Sequence, residues 1–259
     1  MADTVEDFYD AIAADYDRIF EDWDAAVARQ ATSLAPLLTA LGVEPGAPVL
    51  DCTCGIGTQA IGLALHGFDV TGSDVSRAAV ERAGREAARL GAVARFRVAD
   101  VRDLMSCLPG GFAAVVSFDN SLSHLASDED LQSAARAMTS RLRAGGVIAA
   151  SIRDYGRLAA ERTPSTYPRV SGEHPHRSVS FQVWEWDADG GMYDAELLLL
   201  REGPAGWSTT SARTRLRALG RRQLGAALEG AGLVDVRWRE PAETGYYQPI
   251  VSARQSAVV

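Results

Sequence analysis

The stretch of this chain with most chemistry in it is Asp51-Cys-Thr-Cys-Gly-Ile-Gly57. Val49 and Leu50 are a short apolar run that closes on a carboxylate, and Gly55 and Gly57 let the backbone turn tightly beside a ligand. Ala60, Ile61, Leu63, Ala64 and Leu65 then predict a helix from Thr58 to Leu65, ended by His66-Gly67. Phe68 to Ser73 reads as a second strand carrying Asp74 at its carboxyl end. A parallel strand-helix-strand unit with glycines after the first strand and an acid after the second is a nucleotide-binding arrangement, the acid accepting from ribose hydroxyls.

Gly55, Gly57 and Ala60 formally satisfy the dinucleotide spacing. Asp51 argues against a dinucleotide. A carboxylate beside the glycine loop repels a pyrophosphate and suits an ammonium, and S-adenosylmethionine offers an ammonium, a sulfonium and no phosphate. A dehydrogenase would also want a proton donor such as a Tyr/Lys pair, and all 26 basic residues are arginine. A binding protein with a decayed cofactor site would be expected to have lost an acid or a glycine here, and none is lost.

The elements that must position these residues can be followed along the chain. Residues 5–40 show Phe8, Tyr9, Ile12, Tyr16, Ile19, Phe20 and Trp23 at helical steps, with Asp22 set to cap a second helix. They predict an amphipathic lid, from which Tyr16, Trp23 and Arg29 are candidates to reach the site. Ser76 starts a helix over Arg77 to Leu90, closed by Gly91. Arg95 to Val98 is a third strand, followed by Asp100-Val101, an acid and an apolar neighbour suited to an adenine. Phe112 to Phe118 is a fourth strand that delivers Asp119, Asn120, Ser121, Ser123 and His124 to the crevice. A helix from Asp128 through Leu142 and a turn at 143–146 lead to a fifth strand, Val147 to Ile152, ending in Arg153-Asp154-Tyr155. Gly156 to Pro175 is loop-like. Ser178 to Trp186, Met192 to Arg201 and Trp207 to Arg217 read as three antiparallel strands. A helix over Arg221 to Ala231 and a hairpin of Leu233 to Arg239 with Gln248 to Ala253 close the chain, with Tyr246 and Tyr247 on the connection.

At 259 residues with net charge −8, the chain is sized for one large domain or one domain with an inserted subdomain, and lacks the footprint of a nucleic-acid or anionic-membrane binder. Cys52, Cys54 and Cys107 fit neither a zinc site nor a disulfide framework, and His174 and His176 lack a third ligand, so no metal is expected. With no signal peptide and no membrane-length apolar run, a cytoplasmic location is expected.

Four pieces of this sequence resemble class I S-adenosylmethionine-dependent methyltransferases, and most of all the glycine and glycine/sarcosine N-methyltransferases. They are Tyr16-Asp-Arg-Ile-Phe-Glu-Asp-Trp-Asp, the run from Val49 to Asp74, FAAVVSFDNSLSHL ending at Leu125, and LRAGGVIAASIRDY ending at Tyr155. The resemblance implies an α/β fold: a doubly wound, mostly parallel seven-stranded Rossmann-like sheet with an N-terminal helical lid (1–45), a cofactor core (46–155), an antiparallel β insert covering the substrate crevice (156–217) and a C-terminal helix and hairpin (218–259). It implies S-adenosyl-L-methionine held by Trp23, Arg29, Asp51, Cys54, Gly55, Gly57, Asp74, Val75, Asp100, Val101, Phe118 and Asp119. It implies an acceptor site of Tyr16, Asp119, Asn120, His124 and Arg153, with Asn120 and Arg153 on the carboxylate of a small amino acid. The expected partner is a small-molecule acceptor, with a homo-oligomer left open. Asp119, Ser151 and Asp154 depart from the family's glycine, aspartate and asparagine. Asp119 adds an anion suited to the ammonium or hydroxyl of an acceptor larger than glycine, or to a base. For hydroxyl or carbon acceptors, Asp119 or His124 would serve as base. Internal pairing of Arg153 with Asp119 or Asp154 is the alternative to a substrate contact.

Overall fold

The computed structural model describes residues 4–256. The N-terminal segment is α1 (Val5–Ile12), a 3-10 turn (Tyr16–Ile19) and α2 (Trp23–Ala40). Asp22 caps α2, its carboxylate accepting from the Ala25 N–H at 3.0 Å. Next come β1 (Pro48–Asp51), α3 (Thr58–Leu65), β2 (Asp69–Asp74), α4 (Arg77–Leu90), β3 (Ala94–Val98), β4 (Phe112–Ser117), α5 (Asp128–Arg141) and β5 (Leu142–Ser151). They are followed by α6 (Tyr155–Glu161), β6 (Arg169–Ser171), β7 (Ser178–Trp186), β8 (Met192–Gly203) and β9 (Gly206–Arg217). The chain closes with α7 (Arg221–Gly230), β10 (Leu233–Arg239), α8 (Pro241–Thr244) and β11 (Ile250–Gln255).

Seven strands form one sheet in the order β10-β11-β5-β4-β1-β2-β3, in which β11 alone runs antiparallel to its neighbours β10 and β5. Apolar clusters on its two faces hold it to the helices, one including Leu50, Val115 and Ile148, the other Val49, Val116 and Ala149. Neighbouring residues on one strand thus point into opposite layers, which fixes the register and carries Asp51, Asp74 and the residues after β4 and β5 to one edge. The sheet order reverses between β1 and β4, and that is where an open α/β sheet leaves a crevice.

The second sheet, β6-β7-β8-β9, is antiparallel throughout. β7 does alternate, but the side it buries carries Ser178, Ser180 and Trp184, while Val183 is 45% exposed. That inner face meets the N-terminal segment through Arg18 on Ser178 (3.0 Å) and Arg201 on Asp15 (2.5 Å).

Several boundaries differ from the sequence expectations. β5 starts at Leu142, which pairs with Phe112 across a register shift, so the expected turn at 143–146 is part of the strand. β11 starts at Ile250 instead of Gln248 because Pro249 has no N–H for the ladder. The expected loop after Gly156 contains most of α6 and all of β6. Among the described residues no helix is long and apolar enough to cross a membrane.

Candidate active site

The crevice is lined from β1 and its loop by Cys52, Thr53, Cys54 and Gly55, from β2 by Asp74 and Val75, and from β3 by Asp100 and Val101. Tyr9 and Tyr16 close it from the N-terminal segment, and Asp119, Ser121 and His124 stand at its other end.

The glycine loop is shaped by sterics. Gly57 sits at φ 97°, and a Cβ there would lie 2.8 Å from Ile61 Cδ1. Gly55 donates its N–H to Asp74 Oδ2 at 2.8 Å, and Ser76 N–H donates to Oδ1 at 3.0 Å. Each Asp74 oxygen therefore keeps acceptor capacity for a ribose hydroxyl. Burial raises the Asp74 carboxyl despite these bonds.

Asp51 is 1% exposed, and its Oδ2 has no hydrogen-bond partner. Burial, with Asp74 adding like charge, pushes its carboxyl up to about 7. An unsatisfied buried carboxylate oxygen beside a glycine loop fits a cationic ligand group, because a cation supplies the missing partner and restores ionisation. That chemistry fits an ammonium-bearing cofactor, although Asp51 itself is not among the residues that line the crevice.

Asp100 reaches the crevice already engaged: Arg102 grips both its oxygens at 2.6–3.0 Å and holds its carboxyl low. Arg102 also lines the crevice, and the sequence reading did not single it out. Cys54 is a buried thiol kept protonated by burial. Trp23 is buried and donates to Thr58 Oγ1 at 2.9 Å, bracing the start of α3 without lining the crevice. Arg29 lies on the exposed side of α2, and Phe118 is buried against Tyr246. These three and Gly57, and likewise Asp51, Asn120 and Arg153, are not among the residues that line the crevice.

At the acceptor end, Asn120 is a hub. Its Oδ1 accepts from the Arg153 N–H at 3.0 Å and from Ser123 Oγ at 2.9 Å, and its Nδ2 donates to Tyr155 Oη at 2.8 Å. The Arg153 guanidinium donates to Tyr193 Oη at 2.9 Å and Gln182 Oε1 at 3.4 Å and lies 4.9 Å over the Trp184 ring. Among the described residues no carboxylate comes within 4.0 Å of it, so the internal pairing with Asp119 or Asp154 is not made. His124 Nε2 is 3.0 Å from Tyr9 Oη, and its Nδ1 is 3.4 Å from Thr214 Oγ1. Burial and then Arg153 lower its imidazole to about 4, so it is neutral at pH 7. His174 pairs with Glu202 at 2.9 Å, and among the described residues no group of three metal-ligating side chains assembles.

Tyr9, Gln182, Trp184 and Tyr193 were missed as site residues. In the sequence Tyr9 is one more member of an apolar helical stripe, and the other three lie on two insert strands, β7 and β8, whose inner face no local pattern identifies.

The family model described as a methyltransferase domain matches residues 49–146. Glycine/sarcosine N-methyltransferase from Parasynechococcus marenigrum (strain WH8102) is 29% identical over 209 residues, 77% of this chain and 71% of that protein. Among solved structures, the sugar N-methyltransferase KedS8 from Streptoalloteichus sp matches with TM-score 0.75 and 20% identity, over 99% of this chain and 96% of that one. CalS10, an amino pentose methyltransferase from Micromonospora echinaspora, matches with TM-score 0.74 and 22% identity, over 94% of this chain and 95% of that one. With its glycine loop and its two strand-end acids, the chain carries a methyltransferase domain over residues 49–146 and resembles S-adenosylmethionine-dependent methyltransferases in fold.

Proposed function

We propose that this enzyme methylates the amine of a small, anion-bearing metabolite in the cytoplasm. Asp51 and Asp74 would hold the ammonium and ribose of S-adenosylmethionine, whose sulfonium supplies an electrophilic methyl group. The chain's own work is to exclude water and hold an acceptor lone pair roughly 3 Å from that carbon, in line with the bond that breaks.

The observation that carries the acceptor class is Arg153. A half-buried guanidinium fixed by Tyr193, Gln182 and Trp184, with no carboxylate in contact, keeps donors that would suit an anionic group of the acceptor. Asn120 supports this through the Arg153 backbone. An amine can arrive already neutral, whereas a hydroxyl needs a base, and His124, lowered to about 4, is a weak one at neutral pH, which leaves Asp119 as the base of that alternative. The glycine/sarcosine and sugar N-methyltransferase relatives support the amine.

The test is a mass screen for the gain of one methyl group over amino acids, amines lacking a carboxylate, amino sugars and hydroxylated acids, with S-adenosylmethionine as donor. Amines bearing a carboxylate are expected to react fastest. Gain only on hydroxylated acids would refute the reading.

A further inference from the structure

Methyl transfer to an amine needs no base when the amine arrives neutral, so a carboxylate at the acceptor end of the crevice calls for an account. Asp119 is half-buried and lines the crevice near His124. Its N–H donates to Ser151 Oγ at 2.9 Å, and that hydroxyl donates to Gln248 Oε1 at 2.7 Å. Asp119 and Asn120 stand at φ 61° and 69°. Two successive non-glycine residues in the left-handed region are uncommon and persist where the surroundings over-determine them, often at functional sites. The carboxylate accepts from the Tyr247 hydroxyl. Arg153 and Arg169 favour its ionised form, yet neither guanidinium is within 4.0 Å of it. Arg153 is held by Tyr193 and Gln182, and Arg169 by the Ile19 carbonyl at 3.3 Å. The acceptor end thus presents a guanidinium without a carboxylate and a carboxylate without a cation.

We propose that Asp119 binds the acceptor as its ammonium ion and takes the proton that must leave before the nitrogen can be methylated. The proposal rests on the amine reading above and adds a proton acceptor to it. The ammonium passes one proton to an Asp119 oxygen, leaving a neutral amine and a carboxylic acid. The amine lone pair then forms the N–C bond as the C–S bond breaks, giving an N-methylammonium product and the thioether S-adenosylhomocysteine. The acid returns its proton to solvent on the side of Tyr247, which is 54% exposed. Burial raises the Asp119 carboxyl, which makes it a better proton acceptor, while Arg153 and Arg169 oppose the rise. The other titratable groups facing it are Tyr9, Tyr16, Tyr246 and Tyr247. Burial pushes the first three hydroxyls upward, so they stay protonated where Asp119 titrates.

The experiment compares kcat/KM from pH 7 to 9 for the wild type, Asp119→Asn and Tyr247→Phe. The full chain is used with saturating S-adenosylmethionine and the fastest acceptor among glycine, sarcosine, β-alanine and 4-aminobutyrate. Asparagine tolerates the left-handed backbone, so the variant should fold, as its S-adenosylhomocysteine affinity will report. The wild type should show a nearly flat profile wherever the acceptor is protonated. Asp119→Asn must wait for neutral amine from solution, so its kcat/KM should rise about tenfold per pH unit up to the acceptor's pKa. Tyr247→Phe keeps the carboxylate and should keep the flat profile. A wild-type slope of one, or equal slopes in wild type and Asp119→Asn, overturns the proposal. If S-adenosylhomocysteine binds but methyl gain in the wider screen falls only on hydroxylated acids, the amine reading has failed and the proposal falls with it.

Discussion

Asp51→Asn is expected to stabilise the ligand-free protein and weaken its cofactor complex. The Asp51 carboxyl rises from 3.8 to about 7 because it is buried with one oxygen unpartnered. The folded protein therefore holds this proton more tightly than the unfolded chain does. The stability attached to it is whole below about pH 4 and is lost as the pH climbs toward 7. At about 1.4 kcal/mol per pH unit the full loss is about 4 kcal/mol, and about 3 kcal/mol of it falls above pH 5. Asparagine carries no charge and escapes this loss. A buried amide without a partner costs about 1–3 kcal/mol, but that cost does not vary with pH. The stability of the variant relative to wild type should therefore rise by about 3 kcal/mol between pH 5 and pH 8, a shift of about 6–12 °C in relative Tm by scanning calorimetry. Cofactor binding should move the other way. In the wild type only the ionised carboxylate receives the ammonium, so the Kd for S-adenosylhomocysteine should tighten about fivefold from pH 6 to pH 7. The variant should show no such change and should bind about 10- to 150-fold more weakly, the worth of a charged hydrogen bond of about 1.5–3 kcal/mol. Wild-type affinity in Asp51→Asn by titration calorimetry would show that the ammonium does not meet Asp51.

Asp74→Asn removes the charge behind the ribose contacts and should raise the S-adenosylhomocysteine Kd about tenfold or more, since such bonds are worth about 1.5–3 kcal/mol. A Kd within twofold of wild type would place the ribose away from β2. Gly57→Ala puts a Cβ 2.8 Å from Ile61 Cδ1 at φ 97° and should destabilise the fold by about 1–3 kcal/mol in urea unfolding; an unchanged midpoint would mean that the loop relaxes freely. Arg153→Lys keeps the charge but loses the planar fork, and should raise KM for a carboxylate-bearing acceptor about tenfold with cofactor affinity intact. A loss of stability with KM unchanged would make Arg153 a packing residue.

The cofactor half of this protein was legible in the sequence because its determinants are local. Asp51, Gly55, Gly57 and Asp74 lie within one strand-turn-helix-strand unit, and their spacing alone dictates the turn and the two strand-end acids. The Asp22 cap of α2 and the start of α4 at Ser76 are local in the same sense. The acceptor half was not legible to the same depth. Asn120 and Arg153 could be named, but Asn120 is spent on Ser123, Tyr155 and the Arg153 backbone, which only a fold that joins the ends of β4 and β5 can decide. Arg153 receives its setting from Gln182, Trp184 and Tyr193, all on the insert, where the valines of β7 turn partly outward and its polar side faces in. Charge state is likewise a tertiary property. The carboxyl of Asp51 and the imidazole of His124 move by burial among residues distant in the chain, a desolvation cost that no sequence window contains.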